Sequence, residues 1–325
     1  MRTVVGVLRG GPSSEYEVSL KSGAHVLEKL NPEKYDARDI FVSRSGDWHT
    51  HGVALPPERA LRGVDAVFNV LHGEYGESGQ VQRLLASLGV PYTGADPFAS
   101  ALSFNKQQTK AIVSKLGLRV PHGKVVEKTY DPEPLALSLF RSFPHPAVIK
   151  PVAGGSSVGV TVAKTYHELL AGLERAFELG DKALIEEYIP GREATVGVID
   201  GFRDEKLYAL MPVEIIPPQK HGFFSYDAKY GGETIERIPG NFTKKEKDAL
   251  VRAARIAHQG LGLGHYSRSD FIVSKRGIYF LEVNSAAACG MTKESLFPKA
   301  IEAVGATVSD FLDHVVQLAL APKRR

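Results

Sequence analysis

The sequence predicts an α/β domain built on a parallel sheet, followed by two α+β domains. Three observations carry this. Over the first hundred residues, apolar strand-like runs (VVGVL, ARDIFV, AVFNVL) alternate with helical patterns (EVSLKSGAHVLEKL, GQVQRLLASLG), the arrangement of a parallel sheet covered by helices. From Phe104 the alternation gives way to short extended segments and a helix, and after ALIEEYI comes a longer mixed segment that ends in a helical run. At 325 residues, 43% hydrophobic and 24% charged, the chain has core material for two or three domains. The expected boundaries give 1–103, 104–188 and 189–325.

The second domain is expected to open with the helix NKQQTKAIVSKLG. The extended segments KVVEK, HPAVIKP and VGVTVAK and the helix YHELLAGLERAFELG follow. The third takes TVGVID and LYALMPVEIIP as extended, then a polar loop over 219–237 and a helix over 244–261. The strands SDFIVS and GIYFLEVN follow, and the helix ATVSDFLDHVVQLAL closes the chain. No apolar run approaches the roughly 18 residues of a membrane span, one cysteine cannot form an internal disulfide, and a net charge of +3 is too small for a nucleic-acid footprint. A cytoplasmic protein with neither membrane nor nucleic-acid partners is expected.

Three stretches could carry chemistry. In SDFIVS and GIYFLEVN, a hairpin would gather Asp270, Glu282 and Asn284, because residues i and i+2 of a strand share a face. Three oxygen donors suit a hard cation completed by water or phosphate, although Glu-x-Asn also fits a plain strand end with a capping Asn. In PAVIKPVAGGSSVGVTVA, Lys150 precedes a glycine and serine loop whose backbone N–H groups and hydroxyls suit phosphate; a simple hairpin turn is the other reading. In ALIEEYIPGREATVGVI, Glu186 and Glu193 flank a turn. They suit a ribose or an adenine amine, or else are solvated surface.

Taken in order, these blocks resemble the ATP-grasp superfamily. GGPSSEYEVSLKSG, LHGEYGESGQVQ, GVPYTGADPFASALSFNK, FFSYDAKYGGET, RSDF, EVN and GMTKESLFPKA resemble the D-alanine–D-alanine ligases over essentially the whole chain. The resemblance implies a three-domain ATP-grasp fold and an ATP-dependent ligase that joins two D-alanines through a D-alanyl phosphate for peptidoglycan. A homodimer and two magnesium ions, with manganese as the alternative metal, are further implications. Lys106, Lys150, Glu186, Ile189 and Glu193 would hold ATP, with Phe223 and Lys229 closing over it from the 219–237 lid. Asp270, Glu282 and Asn284 would bind the metal. Glu15 would pair with the first D-alanine's ammonium, in a network with Ser156 and Tyr230; a tyrosine at this place goes with an amine nucleophile. His72 would line the substrate site, supported by Glu77. Arg268 and the Gly290 N–H would stabilise the oxyanion, and Ser295 and Leu296 would receive the second D-alanine.

One stretch departs from the family pattern. Where relatives commonly read Glu-x-Asn-Thr-x-Pro-Gly-Met-Thr, this chain reads Glu282-Val-Asn284-Ser-Ala-Ala-Ala-Cys-Gly290-Met-Thr, with two residues more and no proline. The departure bears on the second-substrate pocket, so a different second amino or hydroxy acid is one alternative. A catalytically silent ATP-binding module is the other.

Overall fold

The computed structural model describes residues 2–155, 158–217 and 234–322. In β1 (Thr3–Gly10), Val5, Val7 and Leu8 are fully buried, as a parallel strand covered on both faces requires. It pairs in parallel with β2 (Tyr35–Val42) and, on its other side, with β5 (Ala66–Asn69). Beyond β2 the sheet turns antiparallel through the hairpin of β3 (Trp48–Thr50) and β4 (Val53–Ala54), giving the order β4-β3-β2-β1-β5. The first sheet is therefore mixed, where a parallel one was expected. Its two-residue turn, His51 and Gly52, has φ of 51° and 77°, the doubly positive geometry that matches strand twist.

The second sheet, in the order β6-β9-β7-β8, contains β6 (Gly123–Glu127), β7 (Ala147–Pro151), β8 (Thr161–Ala163) and β9 (Lys182–Glu187). Helices Glu133–Ser142 and Tyr166–Glu178 cover one face through Leu139, Leu169 and Leu173. The second helix is started by a capping box between Thr165 and Glu168. Alternation along β7 sends Ala147 and Ile149 into this core and leaves Val148 and Lys150 on the opposite face.

The third sheet runs β13-β12-β10-β14-β15, with β11 (Leu207–Ala209) paired to β10 (Arg192–Asp200). Here β12 is Val213–Ile216, β13 Ile235–Arg237, β14 Tyr266–Ser274 and β15 Gly277–Ser285. β13 pairs antiparallel with β12, so the last three residues of the expected 219–237 loop are an edge strand. Helices Pro97–Phe104, Lys106–Lys115 and Lys244–Gly260 cover one face of this sheet, with Val113 in the same core as Val196, Phe271 and Phe280. Helix Lys106–Lys115 thus follows the expected 103/104 boundary in sequence but packs on the third sheet, not the second.

A further core joins the ends of the chain. Val5, Val7 and Phe68 pack with Phe311 and Val315 of the last helix, Val308–Leu320. At its edge the buried Tyr35 hydroxyl donates to Asp313 Oδ1 and accepts from Gln317 Nε2 at 3.0 Å. Tyr35→Phe should therefore destabilise the fold by about 1 kcal/mol in urea denaturation, since Asp313 keeps its ion pair with Lys34. An unchanged midpoint would mean that apolar packing alone holds the last helix in place.

Candidate active site

The uncovered faces of the second and third sheets meet across a cavity. Its charged lining is Lys106, Lys150, Glu186, Glu187, Glu193, Asp270 and Glu282, and its apolar wall includes Val148, Ile189, Ile272 and Leu281. Ile189 packs directly with Ile272 and Leu281. The cavity thus combines an apolar slot beside Ile189 with a set of opposed charges.

Among these charges, Glu186 Oε2 lies 2.7 Å from the Lys150 ammonium, and Oε1 accepts from Lys110. Burial would push the Glu186 carboxyl up, but its two lysines outweigh that and hold it below the usual carboxylate range. Lys150 shows the mirror image: burial favours its neutral form, and Glu186 and Glu282 raise its pKa nonetheless. Lys106 donates to the Gly154 carbonyl and stands 3.8 Å from Glu282 Oε2. Gly154, at φ 112°, adopts a backbone conformation that L side chains rarely reach, which explains a glycine at this turn.

Asp270 and Glu282 are register partners on β14 and β15. Asp270 lies in the middle of β14, which begins four residues before it and so earlier than the expected strand SDFIVS. A bulge between Asp270 and Phe271 leaves Leu281 as an extra residue on β15. Phe280 is therefore in the core while Glu282 faces the cavity, although strict alternation would put both on one side. Asp270 accepts from Thr195 Oγ1 at 2.5 Å, from Arg268 through both carboxylate oxygens at 3.2 Å, and from Asn284 Nδ2 at 3.0 Å. The Arg268 pKa is raised: burial opposes its charge, and Asp270 more than offsets that. Among the described residues no cluster of three or more His, Cys, Asp or Glu could hold a metal by itself. The donor set is two carboxylates and an amide whose oxygen a half-turn of χ2 brings round. That set fits magnesium, which takes few protein oxygens and completes its shell with water and phosphate.

A second, smaller pocket adjoins the first and shares Lys106, Gly155 and Glu282 with it. Glu77 lines it from the short helix that follows β5 of the first sheet, Asn284 from β15 of the third sheet and Ala288 from the turn after it. A Cβ at Gly155 would lie 3.4 Å from Glu15 Oε2 and 3.8 Å from Glu77 Oε2, so both carboxylates reach over the glycine loop. Glu77 Oε1 accepts the Gly73 N–H at 2.7 Å and faces His72 Nδ1 at 3.8 Å. The other His72 nitrogen meets Ser22 Oγ at 3.2 Å, and Ser22 in turn accepts the Met291 N–H. His25 Nδ1 donates to the Met291 carbonyl at 2.6 Å. One polar chain thus ties helix Tyr16–Lys29 and His72 to the loop that carries Gly290.

In that loop a Cβ at Gly290 would come within 2.7 Å of Ser295 Oγ, which accepts the Thr292 N–H at 3.1 Å. The Leu296 side chain is in the core, so its contribution to a ligand is confined to the backbone. Ala286–Ala288 form a short 3₁₀ turn, and burial pushes the Cys289 thiol up to about 12, which makes it a packing group. Ser156, Phe223, Lys229 and Tyr230 lie outside the described residues. Lys110, Thr195, Ser22 and His25 were not anticipated. Ser22 carried a signal, a hydroxyl on the apolar face of helix Tyr16–Lys29, while Thr195 becomes visible only in the register of β10 with β14, and Lys110 and His25 only in contacts distant in sequence.

The chain matches the models described as D-ala D-ala ligase N-terminus, over residues 4–58 and 52–95, and D-ala D-ala ligase C-terminus, over 112–317. The D-alanine–D-alanine ligase of Geobacter sulfurreducens is 38% identical, over 97% of this chain and 93% of its own length. That of Halalkalibacterium halodurans is also 38% identical, over 97% and 99%. Among solved structures, the VanG D-Ala:D-Ser ligase from Enterococcus faecalis superposes with a TM-score of 0.84 at 30% identity, covering 98% of this chain and 100% of that one. The D-alanine–D-alanine ligase from Coxiella burnetii gives 0.83 at 25% identity, over 98% and 94%. With both halves matched in order and relatives aligned over nearly their full length, the chain belongs to the D-alanine–D-alanine ligase family.

Proposed function

We propose that the protein is an ATP-dependent ligase that joins two D-alanines through a D-alanyl phosphate, with ADP and phosphate as by-products, for peptidoglycan precursor synthesis. The observation that carries this reading is the pair of adjoining pockets with Lys106, Gly155 and Glu282 on their shared wall. The apolar slot beside Ile189 suits an adenine ring, and Glu193 the ribose. Lys106 and Lys150 would hold the phosphates at the wall between the pockets, beside the bound amino acid. Asp270, Glu282 and Asn284 would bind two magnesium ions, which neutralise phosphate charge when bound.

A carboxylate is a poor acylating agent, so phosphorylation must precede attack by the second amine. Glu15 would hold the first ammonium. Arg268 and the Gly290 N–H would face the oxygen that gains charge in the tetrahedral intermediate. Ser295 and the Leu296 backbone would receive the second carboxylate, with His72 and Glu77 lining and bracing the amino-acid side. Ser156, Tyr230, Phe223 and Lys229 complete the proposal from sequence. The proposed domains are 1–103, 104–188 and 189–325, the protein being a cytoplasmic homodimer.

The test is phosphate release with ATP and magnesium across D- and L-amino acids and D-lactate, with products identified by mass spectrometry. D-alanine alone should support release and yield the dipeptide. One observation favours a second reading: Ala288, from the lengthened stretch, lines the smaller pocket. Release that requires a different second amino or hydroxy acid would establish that reading, and release indifferent to every amino acid would overturn both.

A further inference from the structure

The cavity has a buried cation that does not line it. Lys110 lies one turn beyond Lys106 on helix Lys106–Lys115, with only 6% of its surface exposed. Its ammonium donates to Glu186 Oε1, while Glu186 Oε2 holds Lys150 at 2.7 Å. Glu186 and Lys150 line the cavity, and Lys110 stands behind them. The helix that carries Lys110 packs on the third sheet, whereas Glu186 and Lys150 belong to β9 and β7 of the second. The contact therefore spans the two bodies that enclose the cavity.

From this we infer that Lys110 is a positioning residue for nucleotide binding, clamping Glu186 so that the carboxylate presents Lys150 to the phosphates. The inference rests on the nucleotide reading of the cavity. A carboxylate held by one lysine can still turn about its terminal torsion, and a lysine stem has four rotatable bonds. Two cations on opposite oxygens remove the first freedom and restrict the second. Holding a lysine here is unfavourable in itself: burial first, and then repulsion from Lys150, lower the Lys110 pKa to about 7 despite Glu186. An apolar residue of similar length would avoid that cost and fill the same space. What it could not do is orient the carboxylate.

The experiment uses the full chain with Lys110→Met, Glu186→Gln and the double variant, measuring kcat, the KM for ATP and for D-alanine, and ADP binding by calorimetry. Lys110→Met should raise the KM for ATP and weaken ADP by about tenfold, with kcat at saturating ATP and the KM for D-alanine nearly unchanged. Lys110→Arg should recover part of the loss. Because Lys110 acts through Glu186, adding Lys110→Met to Glu186→Gln should cost nothing further. A folded Lys110→Met with unchanged nucleotide affinity overturns the inference, as does an additive loss in the double variant. The latter comparison decides even if the single variant fails to fold. Should the native chain bind neither ATP nor ADP, the nucleotide reading itself fails; intact ATP binding in Glu186→Gln, or a loss in Glu186→Gln without one in Lys110→Met, removes the clamp alone.

Discussion

Glu282→Gln is expected to lower kcat by about 10³-fold, near 4 kcal/mol of transition-state stabilisation, while the protein melts at almost its native temperature. The two halves of the expectation have separate causes. Glu282 stands on the wall common to both pockets, opposite Asp270 in register, where its carboxylate would help hold a cation whose charge offsets that of the phosphates. Gln keeps the shape and one oxygen but loses the charge. Stability should fall only slightly because the side chain is a quarter exposed, so that solvent screens both its 3.8 Å ion pair with Lys106 and its attraction for Lys150. The variant should also need far more magnesium for half-maximal phosphate release. Activity within tenfold of the native protein at the same magnesium concentration would remove Glu282 from the proposed metal site.

The architecture could be read largely because local signals and tertiary packing agree. Helices Tyr166–Glu178, Lys244–Gly260 and Val308–Leu320 all begin at capping boxes, with Thr165, Thr243 and Thr307 as caps. Among the helices that were not anticipated, two were missed for opposite reasons. Pro97–Phe104 is apolar almost throughout and shows no polar face, and Glu133–Ser142 is introduced by prolines that read as extended chain although proline suits a first helical turn. The site was legible as residue types and spacing. What spacing could not show was the bulge at Leu281, which switches Phe280 and Glu282 to opposite faces. Nor could it show Lys110, whose partner Glu186 is 76 residues away in another sheet.

Arg268→Met supplies the sharpest separation of chemistry from binding. The guanidinium is almost fully buried beside Asp270, and Thr195 and Asn284 also donate to that carboxylate, so Asp270 keeps two partners when the arginine is gone. If Arg268 faces the developing oxyanion, its loss should lower kcat by about 10² to 10³-fold and leave the KM for ATP within a factor of two. An arginine needed chiefly to hold Asp270 in place would behave otherwise: the KM for ATP would rise, and excess magnesium would restore the rate. Arg268→Lys discriminates further. Lysine keeps the charge but offers a point donor in place of a fork, so a partial recovery is expected, smaller than if charge alone mattered. Full recovery by lysine would show that field and not geometry acts on the intermediate, and rescue by magnesium would move Arg268 from the oxyanion to the support of Asp270.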